Sequence, residues 1–143
     1  MPDVIQLNSR DLEQELSWLR RVIDTRLKLY FGQESDFNNV FEINPPDLAG
    51  SESMYAVTVR QYKMGFAERL MLILALTPHI RPQVLDVFFI KNNATSRPFT
   101  EFGGIKESQE GGFFPTGETL VFLLTSGELE PRFRHSALFD REH

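Results

Sequence analysis

The sequence predicts a mainly α-helical fold: a compact bundle of about four main helices with a long, ordered Gly/Phe-rich loop that can hold a small β-hairpin. Apolar residues recur at helical spacing over two long stretches of the first half of the chain. Glycine, proline and asparagine cluster between the helical stretches, as is typical of loops. The chain has 143 residues, with 13 Phe and no Cys, so one domain can bury an aromatic core without disulfides or metal.

The first helix is predicted over residues 8–31. Its apolar stripe keeps a 3.6-residue period through Leu12, Leu16, Leu19, Ile23, Leu27 and Tyr30. Asn8 or Ser9 can cap its start, and the acidic residues of the first turns suit the positive end of the helix dipole. Gly32 is the expected stop. Residues 32–52 then form a loop that Phe37, Val40, Phe41 and Ile43 attach to the core.

A second, long helix is predicted over residues 53–77, capped by Ser51 or Ser53 and ended by Pro78. One face carries Val59, Tyr62, Phe66, Leu70, Ile73 and Leu76. The segment RLMLILAL within it is apolar nearly all round, which indicates a position in the centre of the domain.

Shorter elements follow. Pro82 suits the first turn of a third helix at about residues 82–90. Residues 91–115 form a long loop, which we expect to be ordered because it carries five aromatic or aliphatic anchors among its glycines. Thr116 is expected to cap a fourth helix over about 117–126, which ends before Gly127, and a short helical turn is expected around Leu129 to Phe133.

Composition excludes several classes of protein. The net charge is −5, with the cations scattered among 20 acids, so we expect no nucleic-acid partner. The longest apolar stretch is far shorter than the ~20 residues of a membrane span, and the N-terminus lacks the pattern of a signal peptide. We therefore expect a cytoplasmic protein without membrane contact.

No catalytic, cofactor-binding or metal-binding residue is predicted in this chain. None of the histidines has a second histidine at helical ligand spacing, and no serine lies in a Gly-x-Ser-x-Gly turn. Residues 111–119 have glycines before a helix start, as a phosphate loop has. However, Glu118 stands where a Walker A loop needs lysine, and its carboxylate repels phosphate.

Four segments occur in an order that resembles one known family. They are residues 68–79 (ERLMLILALTPH), 82–91 (PQVLDVFFIK), 99–104 (FTEFGG) and 112–119 (GFFPTGET), with an apolar helix after the last. Over about residues 53–140 the chain resembles the N-terminal region of AAA+ ATPases encoded in bacterial contractile-injection (phage-tail-like) gene clusters.

The resemblance implies that residues 1–143 form one helical domain at the N-terminus of a longer protein. A winged-helix-like segment and a AAA+ module with Walker A and Walker B motifs would follow, and ATP and Mg would bind only there. The parent protein would be a homo-oligomeric ring, and this domain would recruit protein substrates or assembly partners. The chain ends at Arg141-Glu142-His143 without an evident final element, which we interpret as a truncation or a domain edge.

The loop supplies the candidate partner-binding residues. They are Thr100, Glu101, Phe102, Gly103, Gly104, Gly111, Gly112, Phe113, Phe114, Pro115, Thr116, Gly117 and Glu118. Their alternative role is structural, with glycines providing positive φ and aromatics filling the core. The alternative function is a small stand-alone ligand-binding protein or enzyme, whose pocket would lie between the loop and helices two and four and be lined by Glu68, Arg69, Glu101 and Glu118.

Overall fold

The computed structural model describes residues 4–90, 99–106 and 112–125. These residues form a mainly helical fold, as predicted. The α-helices are α1 (Val4–Tyr30), α2 (Met54–Gln61), α3 (Phe66–Ile80) and α4 (Gly117–Leu124). Three 3₁₀ helices, Val40–Glu42, Pro82–Phe89 and Thr100–Phe102, and two short strands, β1 (Ile105–Lys106) and β2 (Phe113–Phe114), complete the described elements.

Helix α1 follows the predicted stripe but begins earlier than predicted. Because it starts at Val4, Asn8 lies inside the helix and does not cap it. The Asn8 Oδ1 atom instead accepts a hydrogen bond from the Tyr55 backbone N–H at 2.9 Å, which ties α1 to the first turn of α2. The predicted stop is correct: Gly32 has φ +70°, and the N–H of Gln33 donates to the carbonyl of Lys28 at 2.8 Å.

The predicted long helix over 53–77 is wrong, because the chain breaks it into α2 and α3. Ser53 caps α2, as expected, by accepting from the Ala56 N–H at 3.0 Å. After Gln61 the chain turns through Lys63, which has φ +51°, and Gly65 starts α3. Tyr62, predicted to face the core, is 73% exposed at this turn.

Pro78 does not end α3, which continues to Ile80. A proline within a helix removes one backbone donor. Here the missing N–H belongs to the last turn of the helix. In that turn the Thr77 hydroxyl donates to the Ile73 carbonyl at 2.6 Å, and the Arg81 N–H donates to the Thr77 carbonyl at 2.8 Å.

The remaining elements differ from the predictions in type or length. Residues 82–89 form a 3₁₀ helix and not an α-helix, although Leu85 and Phe88 are buried as expected. The hairpin is present as an antiparallel pair in which Ile105 faces Phe114. Helix α4 ends at Leu124, two residues before the predicted limit of 126. The turn predicted at 129–133 lies outside the described residues.

The core lies between α1, α3 and α4, with the 3₁₀ helices around it. Its main cluster contains large residues from all of these elements, including Trp18, Leu19, Leu70, Phe88, Phe102, Phe113 and Phe122. A smaller cluster, Leu48, Tyr55, Ala56 and Val59, joins α2 to the preceding loop. In the described part of the chain, none of the helices is long and apolar enough to cross a membrane.

Candidate functional site

The Gly/Phe-rich loop is divided into a buried side and an exposed side. On the buried side, Phe102 and Phe113 are 0% and 2% exposed and stack around Phe88. Gly103 and Gly104 have φ +64° and +84°, values that favour glycine. A Cβ on Gly104 would lie 2.2 Å from Cζ of Phe113, so the backbone approaches the ring as closely as it can.

The same loop is fastened to the start of α4. The Gly104 N–H donates to Oγ1 of Thr116 at 3.0 Å, and the Thr116 N–H donates to Oγ1 of Thr119 at 3.1 Å. Thr116 stands at the N-cap position, as predicted, and its hydroxyl oxygen also accepts the hydrogen bond from the loop. A Cβ on Gly103 would lie 2.7 Å from Cβ of Glu118, so a glycine is needed for this contact.

The exposed side contains the other candidate residues. Thr100, Glu101, Phe114, Gly117 and Glu118 are exposed. The partly buried candidates are Gly103, Gly104, Gly112, Pro115 and Thr116. Gly111 lies outside the described residues. Phe102 and Phe113 therefore pack in the core, and the exposed candidates lie at the surface of the domain.

Part of the exposed side borders a cleft of about 510 Å³ between α1 and α4. Helix α4 contributes Glu118 and Phe122, its C-cap residue is Thr125, and α1 contributes Arg26 and Tyr30. The spacings of four and three residues place each set on one helix face. The 3₁₀ helix at 100–102 closes one side of this α1–α4 cleft with Thr100 and Glu101.

Arg26 forms the buried wall of the cleft and is only 2% exposed. Its Nε donates to the Phe122 carbonyl at 2.8 Å, and its guanidinium carbon lies 4.3 Å from the centre of the Phe122 ring. Charge-assisted hydrogen bonds of this kind are among the strong ones. Because the Phe122 carbonyl is at the C-terminal end of α4, the arginine also meets the negative end of that helix dipole.

Glu101 is held in place at the mouth of the cleft. The Tyr30 hydroxyl donates to Oε2 of Glu101, and the Thr100 hydroxyl donates to Oε1 at 3.1 Å. The pKa of Tyr30 is raised to about 12, first by burial and then by the hydrogen bond to Glu101 and its negative charge, against a smaller opposing effect of Arg26. The tyrosine therefore keeps its proton at neutral pH and serves as a donor.

The cleft differs from the pocket predicted for the alternative function. Glu101 and Glu118 line it, as expected, but α1 forms the wall that was assigned to helix two. Glu68 lies instead at the start of α3, where Oε2 accepts from the Gly65 N–H at 3.3 Å. Arg26 and Tyr30 were not predicted as site residues, because in the sequence they belong only to the end of a regular helix.

Arg69, the fourth predicted pocket residue, belongs to a separate buried network. Its guanidinium binds the fully buried carboxylate of Glu15 through Nε at 3.0 Å and Nη2 at 2.5 Å. The Tyr55 hydroxyl donates to the same carboxylate at 2.6 Å. Burial, followed by the hydrogen bond and charge of Glu15, raises the pKa of Tyr55 well above its ordinary value. This network joins α1, α2 and α3.

A second buried carboxylate lies one turn nearer to the start of α1. Asp11 is 2% exposed and accepts hydrogen bonds from the hydroxyls of Ser51 and Ser53. All buried side-chain nitrogen and oxygen atoms in the described ranges have a hydrogen-bond partner. Each buried polar atom around Glu15 and Asp11 thus has a partner, and the bonds to Glu15 link α1 to α2 and α3.

Tyr30 is poorly suited to act as a general base at neutral pH. A general base works best with a pKa near the operating pH, whereas the surroundings of Tyr30 move its pKa away from neutrality. Within residues 4–90, 99–106 and 112–125, no group of three or more His, Asp or Glu side chains is placed to hold a metal ion.

In comparisons with known protein families, curated proteins and solved structures, nothing matches the chain.

Proposed function

We propose that this chain is a non-catalytic protein-interaction domain at the N-terminus of a AAA+ ATPase that remodels or assembles protein complexes. The observation that carries the proposal is the division of the Gly/Phe-rich loop. Its buried side is fixed by Phe102, Phe113 and the two glycines. Its exposed side presents Thr100, Glu101, Phe114 and Glu118. Binding residues are often found on loops that a rigid scaffold positions.

The packing of the four family-like segments supports the resemblance on which the proposal draws. The segment at 68–79 forms most of α3 and packs against the 3₁₀ helix at 82–89. That helix contacts β2, and the 3₁₀ helix at 100–102 contacts α4. Segments that are separate in the sequence therefore form one continuous structural unit, which is consistent with a shared module.

The proposed parent protein is a bacterial, cytoplasmic, ring-forming ATPase linked to a contractile injection apparatus. ATP and Mg bind in the AAA+ module and not in this domain. The partner is a protein, either the substrate of the ATPase or a component that the ring assembles. This domain contributes binding and regulation and no chemical step.

The reading frame that encodes the chain tests the proposal first. We expect a Walker A and a Walker B motif within about 300 codons after His143, the length of an ATP-binding domain with a linker. A frame that stops near His143, or continues without these motifs, contradicts the proposal.

The second test uses the full protein. Glu118→Lys combined with Phe114→Asp changes two exposed residues of the loop, so we expect basal ATP hydrolysis to remain within about twofold of the wild type. Stimulation of hydrolysis by the cognate protein complex should be lost. Glu52→Lys, an exposed residue of the loop before α2, is the matched control and should keep the stimulation. Equal stimulation of both variants contradicts the assigned surface.

The α1–α4 cleft favours one second candidate, a stand-alone ligand-binding protein or enzyme. Its volume of about 510 Å³ lies in the range of small-molecule pockets. This candidate predicts that the gently purified chain carries a small molecule at near-stoichiometric occupancy in native mass spectrometry, and that Phe122→Ala removes it. If the measured mass is that of the chain alone, no ligand is tightly bound and this candidate is contradicted.

A further inference from the structure

We propose that α3 forms an antiparallel, twofold contact with α3 of a second copy of this chain, so that the protein self-associates weakly through this helix. The inference does not rest on the proposed function. It follows from the apolar character of the exposed side of α3, from the order of the residues along that side and from the polar groups at its two ends.

Helix α3 buries one side and leaves the opposite side at the surface. The buried side contains Arg69, Leu70, Ile73, Leu74 and Thr77. The residues opposite to these are exposed or partly buried and form the outer face of α3: Glu68, Met71, Leu72, Ala75, Leu76 and His79. A helix this apolar was predicted to lie in the centre of the domain, whereas the structure packs only one side of it.

The outer face lacks the charges that a solvent-exposed helix face normally has. The sequence from residue 70 to residue 80 contains no Asp, Glu, Lys or Arg. Met71 is 46% exposed, and Ala75 is exposed in the second half of the helix. Leu72 and Leu76 pack against the smaller core cluster but are only partly buried. Contiguous apolar surface of this kind is typical of a contact between proteins.

The order of the residues makes the outer face complementary to itself. Glu68, Leu72, Ala75 and His79 follow one another at spacings of four, three and four residues, which places them along one line of the helix. Two such lines that meet antiparallel about a twofold axis present the same sequence in opposite directions. The leucine of each copy then lies opposite the alanine of the other, and the glutamate lies opposite the histidine.

The middle of this contact combines a large side chain with a small one. Ala75 leaves room for Leu72 of the second copy, so that two helices can approach to the usual 8–10 Å between axes. Met71 of both copies flanks the contact on one edge, and Leu76 of both copies flanks it on the other. The pairing therefore removes apolar surface from water without placing a charged group in the centre.

The two ends of the helix favour the antiparallel direction. Glu68 lies in the first turn of α3 and His79 in the last. The Glu68 carboxylate accepts from the Gly65 N–H at 3.3 Å and retains further acceptor positions. An imidazole N–H can donate to such a carboxylate whether or not the ring is charged. Parallel pairing would instead bring the two glutamates together, and it would align the two helix dipoles unfavourably.

The size of the contact sets its strength. Helix α3 has 15 residues, so it is about 22 Å long. Two helices of this length bury much less than the ~1,200 Å² of a stable interface. We therefore expect a reversible dimer with a dissociation constant of about 50–500 µM.

Sedimentation equilibrium of the 143-residue chain measures this association between about 10 µM and 1 mM, a range chosen from the expected affinity. Ala75→Arg places a long cation opposite Leu72 of the second copy, and two such cations face each other across the twofold axis. We expect the dissociation constant to rise at least about tenfold. Ser17→Arg adds the same charge to the exposed side of α1 and should keep the dissociation constant within about twofold of the wild type. Circular dichroism checks that both variants are folded.

A second measurement tests the direction of pairing and does not depend on Ala75→Arg. The chain has no cysteine, so Glu68→Cys and His79→Cys each introduce a single thiol. In the antiparallel dimer, equivalent positions lie about 16 Å apart along the axis, too far for a disulfide, whereas residues 68 and 79 of different copies are opposite each other. With one variant ¹⁵N-labelled, mass spectrometry identifies the mixed dimer, which should form at least about fivefold faster than either same-site dimer.

Three results overturn the inference. They are a mass of one chain at about 1 mM, a concentration above the expected dissociation constant, equal weakening by Ala75→Arg and Ser17→Arg, and same-site disulfides that form as fast as mixed ones. A monomer at that concentration would leave the outer face to a different molecule. These results do not decide the proposed function, because a closed ring uses head-to-tail contacts and this contact is twofold. The reading frame after His143 tests the ATPase independently.

Discussion

Gly104 shows how one residue fixes the shape of the candidate surface. It lies against the Phe113 ring in the left-handed region of backbone space, with φ +84°. We expect Gly104→Ala to lower the free energy of unfolding by about 3 kcal/mol, since it adds both backbone strain and a steric overlap. Urea denaturation measures this loss.

Gly112 provides the control for Gly104→Ala. Its φ is +80°, but a Cβ there would meet nothing within 4 Å. Gly112→Ala should therefore cost only the backbone strain, about 1 kcal/mol. If both variants lower the free energy of unfolding equally, the contact with Phe113 does not contribute to stability.

Tyr30 gives the folded protein a dependence on alkaline pH. Its pKa is raised from 10.0 to about 12 in the folded state, so the unfolded chain releases this proton at a lower pH than the folded chain does. The stabilisation is fully present below pH 10.0 and is lost as the pH rises to about 12. Thermal unfolding across this window should therefore show a steeper decline for the wild type than for Tyr30→Phe. Parallel declines would contradict the role of the Tyr30–Glu101 bond.

The sequence predicted the apolar residues of this molecule better than the polar ones. Leu16, Leu19 and Ile23 are buried as the periodicity requires. Asp11 and Glu15 were interpreted only as acids that suit the positive end of the helix dipole, and their burial was not predicted. Their partners lie 40 to 54 residues away in the sequence, and no local pattern reveals a bond over such a separation.

At the scale of elements, the break between α2 and α3 can be tested by whether one substitution raises or lowers the free energy of unfolding. Lys63 has φ +51°, which a glycine adopts with less strain. Lys63→Gly should raise the free energy of unfolding by about 0.5–1 kcal/mol. In a continuous helix over 53–77 the same change would lower it by about 1 kcal/mol.

Ala75 is the matched position for Lys63→Gly. It is exposed within α3, so Ala75→Gly should lower the free energy of unfolding by about 1 kcal/mol. Chemical denaturation compares the two variants, and a loss at both positions would contradict the break.

The break could not be predicted because the apolar pattern continues through it. Val59 and Leu70 are both buried, in phase with a single helix, and hydrophobic periodicity reports the buried side of a segment but not its continuity. The α1–α4 cleft was likewise only half predicted. That the two glutamates line a pocket was predicted from the sequence, whereas the contribution of α1 to the lining depends on how the helices pack.

At the scale of the whole molecule, the two apolar clusters are expected to unfold together. Leu12 of α1 packs against both of them, and the Glu15–Arg69 pair joins α1 to α3. Trp18 is 2% exposed in the main cluster, and its indole N–H donates to the Ile43 carbonyl at 2.9 Å. Its fluorescence and the far-UV circular dichroism should therefore change at the same urea concentration. Separate midpoints would contradict a single cooperative unit.

The burial of α4 has a consequence for how this domain can diversify. Residues 119–124 are all buried, while Glu118 on the first turn is exposed. If the domain binds a partner as proposed, a substitution at Glu118 or Thr100 would alter which partner is selected without disturbing the interior. The proposed function would then place stability and recognition at different positions of the same short segment, so that new specificities could arise by single surface substitutions on an unchanged scaffold.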